Sequence, residues 1–287
     1  MPRFVLFDLM RFALALMVAG SLISNAEAQT PTSPPAIDPY AIVSNPHRNI
    51  DSLNISNKQQ IDCDYISKLE PIVILAVGQS LIANANGSSP WEQRINRNVY
   101  EHWGTRCYKA NEPLYGASDA RRSFVFDLAN LITRATQKPV VINMAAVGGT
   151  RVERFMDGGD ANRILKEQIQ NATKKGLLPT FVIWEHGQGN LDDDMADYKS
   201  KVTTVLAGIR DQGVTAPIFI AQDSFLNWRS SPEMLQAQRE LAYLQGSYLG
   251  PNIDLIPFRI DGTHMDDRGV ELQAGIWFQV LARYFDW

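Results

Sequence analysis

Pro71-Ile-Val-Ile-Leu-Ala-Val-Gly-Gln-Ser80 is an unbroken apolar run, rich in β-branched residues, that ends in a glycine and two polar side chains. Hydrophobicity that is continuous rather than alternating marks a strand buried on both faces, as in a parallel sheet. Four later runs have the same character: Pro139-Val-Val-Ile-Asn-Met144, Thr180-Phe-Val-Ile-Trp-Glu185, Ala216-Pro-Ile-Phe-Ile-Ala221 and Ile253-Asp-Leu-Ile-Pro257. Between them, apolar residues recur every three or four positions over 124–132, 162–175, 195–212 and 232–249, and a last helical pattern covers 269–285. Strands alternating with helices predict an α/β protein with three layers, helices covering both faces of a parallel sheet through right-handed crossovers. Ligands of such sheets bind beyond the carboxyl ends of the strands, so chemistry is expected there.

Upstream of the first strand the composition shifts twice. Arg3 and Arg11 flank a short start, residues 12–23 are mostly apolar, and Ala26-Glu-Ala28 places small residues where a signal peptidase reads them. This layout predicts a secretory signal peptide over residues 1–28. The apolar stretch is shorter than the roughly 20 residues a spanning helix needs. Stable membrane insertion after cleavage is therefore not expected. Residues 29–68 open with a Pro/Ser/Thr/Ala-rich tract and read as an extension or linker, with the folded domain expected over 69–287. An exported chain meets an oxidising compartment, where an isolated pair of cysteines is bridged, so Cys63 and Cys107 are expected to form a disulfide.

Composition narrows the function. The chain of 287 residues carries a net charge of −4 and has no Lys/Arg run. A nucleic-acid partner is not expected, because neutralising phosphates needs a basic surface. Two cysteines and four histidines make no recognisable metal-ligand spacing, so no metal is expected.

Unusual residues gather at the predicted strand ends: Gly78-Gln-Ser80, Ala145-Ala-Val-Gly-Gly-Thr150, His186-Gly-Gln-Gly-Asn190 and, before the last helix, Asp261-Gly-Thr-His264. Acyl transfer needs such a set. A serine hydroxyl becomes nucleophilic when a neighbouring base accepts its proton, and that base is held in the right tautomer by a carboxylate. The tetrahedral oxyanion then needs preorganised N–H donors. Ser80 stands in a glycine-containing turn after a buried strand. Asp261 precedes His264 by three residues, close enough for the carboxylate to reach the imidazole. Gly148 and Gly149 allow close backbone approach, and Asn190 offers a side-chain amide. The nucleophile is thus expected at Ser80, the acid–base pair at Asp261/His264 and the oxyanion hole at Gly149 and Asn190. Asp266 and Asp267 are alternative orienting carboxylates. The chain lacks the Gly-x-Ser-x-Gly elbow of α/β-hydrolases, since Ile82 stands where the second glycine would be.

At these positions the sequence resembles the SGNH (GDSL-like) hydrolase superfamily, and most of all its sialate O-acetylesterase-like branch, which includes carbohydrate esterase family 6. Ile74-Leu-Ala-Val-Gly-Gln-Ser80 matches the branch's first block up to the serine, with Leu81 in place of its asparagine. Ala146-Val-Gly-Gly-Thr150 is similar to the second block. Trp184-Glu-His-Gly-Gln-Gly-Asn190 stands at the third, with His186 and Gln188 where the branch has Gln and Glu. Asp261-Gly-Thr-His264 matches the last. The resemblance spans residues 71–287. It implies a flavodoxin-like, five-stranded parallel sheet, a Ser-His-Asp triad without cofactor, and removal of acyl groups, O-acetyl above all, from a carbohydrate or related ester. By the general superfamily pattern the side-chain oxyanion donor is Asn190; His186 and Gln188 are the alternatives. Gln79, Trp91 and Trp103 are expected to meet substrate, the tryptophans from a long aromatic loop over residues 91–122. Segment 223–229, after the fourth strand, is a second candidate wall. Two rival functions share these residues: an acyltransferase acting on envelope glycans, and a carbohydrate-binding protein without turnover.

Overall fold

The computed structural model describes residues 58–87 and 98–287. The expected signal peptide, most of the expected linker and Trp91 lie outside the described residues. Eight strands form one sheet, in the order β1-β4-β3-β5-β2-β6-β7-β8. They are β1 (Gln60–Ile61), β2 (Ile72–Gly78), β3 (Val99–Trp103), β4 (Arg106–Lys109), β5 (Val140–Ala146), β6 (Phe181–Glu185), β7 (Ile218–Gln222) and β8 (Ser247–Asn252). Six run parallel, from β3 through β5, β2, β6 and β7 to β8. β4 and β1 extend the β3 edge antiparallel.

The expected five-stranded parallel sheet is thus corrected in two ways. β3 and β4 form a hairpin inside the stretch read as loop; Val-Tyr-Glu-His-Trp and Arg-Cys-Tyr-Lys carry too many polar residues for a buried-strand signature. The last strand is Ser247–Asn252, and Ile253–Leu255, expected in a strand, forms a 3₁₀ turn capped by the Asn252 side chain. As a sheet edge, β8 leaves Tyr248 and Leu249 exposed, which hides it from a search for continuous apolar runs. The domain also begins before residue 69: β1 pairs with β4, and helix α1 (Cys63–Ser67) carries the disulfide from Cys63 to Cys107.

The faces of the sheet follow from the two-residue period of each strand. Ile72, Ile74, Ala76, Ile142, Met144, Ile183 and Phe219 point to one side, where α2 (Phe124–Thr136) and α6 (Asp267–Phe285) cover them. Leu75, Val77, Ala145, Val182, Trp184 and Ile220 point to the other, under α3 (Asp160–Lys174), α4 (Met195–Asp211) and α5 (Pro232–Leu241). The helices begin at local signals. Ser123, Asp194, Ser231 and Asp266 accept from backbone N–H groups of the first turns of α2, α4, α5 and α6, which otherwise lack partners.

Candidate active site

Gly78 closes β2 in close contact with β6: a Cβ there would lie 2.0 Å from the Glu185 carbonyl oxygen. That contact lets Gln79 N–H donate to Glu185 O at 3.2 Å and turns the chain sharply, so Ser80 emerges just past the strand end. Ile82 and Ala83 bond back to Gln79 O, both at 3.0 Å. Ser80 O accepts from Ala83 N–H at 3.0 Å, while the Ser80 hydroxyl makes no hydrogen bond among the described residues.

Asp261 and His264 meet as their spacing predicts. Asp261 Oδ2 lies 2.7 Å from His264 Nδ1, and Oδ1 accepts from the Thr263 and His264 backbone N–H groups at 3.0 and 2.8 Å. Burial opposes ionisation of this carboxylate, but the bonds from His264 and Thr263 outweigh it and hold its pKa at about 2. A permanent carboxylate on Nδ1 leaves Nε2 as the free, basic nitrogen. The alternative carboxylates are committed elsewhere: Asp266 caps α6 through Gly269 N–H at 2.9 Å, and Asp267 pairs with the Arg122 guanidinium at 2.9 Å.

One side chain ties the serine turn to the histidine loop, and sequence inspection missed it. Asn86 Nδ2 donates to Leu81 O at 2.6 Å, while its Oδ1 accepts from Met265 N–H at 3.0 Å. Gly87 N–H donates to Met265 O at 2.8 Å. The neighbours of Ser80 and His264 are therefore held a single amide apart. Ser80 and His264 are not hydrogen-bonded to one another; such bonds commonly tighten only around substrate. Arg259 supports the histidine loop from beneath, donating to the carbonyls of Ile253, Ile256 and Thr263.

The second block lies beside the serine turn, since Val147 N–H donates to Gly78 O at 3.0 Å. Segment 116–121 fastens the two: Ser118 N–H bonds to Ala146 O, Asp119 N–H to Ala83 O and Arg121 N–H to Asn84 O. Gly148 N–H is taken by Ser118 Oγ at 2.8 Å. Gly149, at φ 63°, has no acceptor for its N–H among the described residues.

Each side-chain donor expected in the third block is already engaged. Both Nδ2 protons of Asn190 go to carboxylates, Asp193 at 2.8 Å and Glu153 at 3.2 Å, and its Oδ1 holds Val152 N–H at 2.9 Å. Gln188 Nε2 donates to Asp223 Oδ1 and Phe225 O at 2.8 and 3.1 Å. His186 is fully buried, with Nε2 against Thr150 O at 3.0 Å, and burial lowers its pKa to about 4, so the ring is neutral. Gln79, expected to contact substrate, bonds with Gln188 and accepts from Gly189 N–H at 3.2 Å. Trp103 ends the β3–β4 hairpin, two strands from β2, and is half-buried against the core beneath α3.

Beneath this floor lie two buried carboxyls. Glu185 accepts from Gln273 Nε2 at 2.6 Å and Trp277 Nε1 at 2.9 Å. Burial outweighs those bonds and pushes its pKa up to about 8. Burial, with Glu185 and Asp254 nearby, raises Asp223 in the same direction. A carboxyl raised in the folded state stabilises fully below its unfolded pKa of about 4.3 and loses that contribution as pH climbs through the folded value. The melting temperature is therefore expected to decline from pH 5 to about pH 8. Glu185→Gln should flatten that decline in melts run across the range. An unchanged slope in the variant would remove Glu185 as its source.

No protein-family model matches the sequence, and no curated protein sequence matches it. Solved structures do. A protein of Arabidopsis thaliana is similar at a TM-score of 0.61 and 16% identity, over 75% of this chain and 98% of that one. A carbohydrate acetylesterase from Xanthomonas citri is similar at 0.54 and 16%, over 74% of this chain and 56% of its own length. A protein of Parabacteroides merdae described as a GDSL-like lipase follows at 0.50 and 14%, over 72% and 94%. What these share with the present chain is the arrangement of sheet and helices, and the chain accordingly has the fold of the GDSL-like, or SGNH, hydrolases.

Proposed function

We propose that the protein is an exported serine esterase that removes acyl groups, principally O-acetyl, from a carbohydrate. One observation carries this reading: the Asp261–His264 pair, bonded at 2.7 Å, is clamped through Asn86 to the turn that bears Ser80. A serine hydroxyl without a partner among the described residues, on a turn clamped to an imidazole whose Nδ1 faces a carboxylate, supports nucleophilic acyl transfer. His264 Nε2 takes the Ser80 proton as Oγ attacks the ester carbonyl, and Asp261 stabilises the imidazolium. The alcohol leaves with that proton, and a water activated by His264 releases the acid. The Ser80 and Gly149 N–H groups, both without acceptors among the described residues, hold the oxyanion. With Asn190, Gln188 and His186 engaged, the hole rests on backbone donors. The Cys63–Cys107 disulfide supports export, because such bridges persist in oxidising compartments. Likeness to a carbohydrate acetylesterase supports the choice of acyl group and acceptor.

The test is treatment of the folded protein with a fluorophosphonate, followed by peptide mass analysis and by measurement of acetate released from O-acetylated oligosaccharides. One adduct, on Ser80, together with acetate release is the expected result. Glycan binding without any adduct would replace the esterase with a binding protein on the same fold.

A further inference from the structure

Beyond the triad, the loop between β7 and α5 presents a tryptophan in a conformation that tryptophan rarely adopts. Leu226 and Arg229 exchange backbone hydrogen bonds of 2.8 and 3.0 Å, closing a two-residue turn around Asn227 and Trp228. Both central residues have positive φ, 52° and 64°. Such a turn accepts asparagine first and normally glycine second. A bulky residue in the second place is strained, and it persists only where its surroundings hold it.

Those surroundings are the histidine loop. Trp228 N–H donates to Gly262 O at 3.0 Å, and Asn227 N–H to Thr263 Oγ1 at 3.2 Å. The indole lies directly on Gly262: a Cβ there would stand 2.5 Å from Nε1. Gly262, at φ 80°, thus both turns the chain between Asp261 and His264 and makes room for the ring. The base of the loop is fixed by Asp254, which accepts from the Ser224 and Phe225 N–H groups and from the Ser224 and Ser230 hydroxyls. Despite these anchors Trp228 remains 59% exposed. An aromatic face therefore lies on Gly262, two residues before His264, and is open to solvent.

The geometry points to Trp228 as the platform on which the sugar ring of the substrate stacks, placing its ester at Ser80. This rests on the esterase reading for the ester but not for the sugar. The apolar C–H face of a pyranose matches an indole while its hydroxyls stay hydrated. The ring's exposed neighbours, Arg229 and Ser230, and the half-exposed Asp261 carboxylate are polar, which suits a glycan and not an alkyl chain.

The experiment separates binding from turnover. Calorimetric titration of O-acetylated xylotetraose into Ser80→Ala protein is compared with the same titration of variants that add Trp228→Gly or Trp228→Tyr. Glycine fits the left-handed position, so the Trp228→Gly protein should melt no lower than its parent. Its affinity should fall roughly tenfold, and Trp228→Tyr should restore most of it. In the Ser80 enzyme, Trp228→Gly should lower the ratio of kcat/KM for the acetylated glycan to that for ethyl acetate by a similar factor. Unchanged affinity in the glycine variant, or no glycan binding by the parent, overturns the platform. Preference for aryl esters over glycan esters that depends on Trp228 overturns the sugar assignment. Trp228-dependent binding in an enzyme that turns over no ester upholds the platform and removes the esterase.

Discussion

Ser80→Ala is expected to lower ester turnover by about 10⁴–10⁶-fold, the range seen when a catalytic serine nucleophile is removed. The physical argument has two parts. Without Oγ no acyl-enzyme forms, and what remains is the binding of the ester and the polarisation of its carbonyl by the Ser80 and Gly149 N–H groups, which the substitution leaves in place. The cost to the fold should be small. Ser80 Oγ has no hydrogen-bond partner among the described residues, so its loss leaves no buried donor or acceptor unpaired. The melting temperature should stay within a degree or two of the wild type, roughly the effect of half a kcal/mol in a domain of this size. Turnover measured by acetate release, and melting followed by circular dichroism, check both. An alanine variant that keeps a tenth of the activity would put the nucleophile elsewhere.

Asp261→Asn should cost about 10³–10⁴-fold in kcat with the fold intact. An asparagine Oδ1 can still accept from the Thr263 and His264 N–H groups, which hold the turn. Its amide would then donate toward His264 Nδ1, selecting the tautomer with the proton on Nε2. That imidazole cannot take the Ser80 proton. The half-exposed position of Asp261 places the loss at the lower part of the range, because water screens the carboxylate's stabilisation of the imidazolium. The check is the pH profile of kcat for both proteins alongside their melts. A loss below tenfold would mean that another group orients His264, and Asp266 and Asp267 are poor candidates because α6 and Arg122 already hold them.

Much of this architecture was legible in the residue pattern, for identifiable reasons. β2, β5, β6 and β7 are covered on both faces, so every position is buried, nearly all are apolar and the runs stand out. The Asp261–His264 contact was equally legible, because three residues of backbone bring the two side chains together without help from the rest of the chain. The strands outside this central set were not. β3, β4 and β8 are polar or half-exposed, and their pairing depends on neighbours that the local pattern does not contain.

The side-chain oxyanion donor shows the same limit at one residue. Asn190 has the right type at the right strand end, yet its amide is taken by Glu153 and Asp193, which come from a different loop and from the approach to α4. Asn86 was not legible, and Trp228 stood out only as part of segment 223–229, for the complementary reason. An asparagine in a loop and a tryptophan between asparagine and arginine carry no periodic signal, and each acquires a role only where distant segments converge.

By itself the sequence determined the α/β layering, the buried parallel strands, the order of the chemical groups along the chain and the carboxylate–imidazole pair, all consequences of local period or short spacing. Tertiary structure alone decided which polar groups remained available. Hydrogen-bond partners are exclusive, and it is long-range packing that engages Asn190 with Val152 and Glu153, engages Gln188 and Gln79, leaves the Ser80 hydroxyl without a partner among the described residues, and seats the Trp228 indole on Gly262.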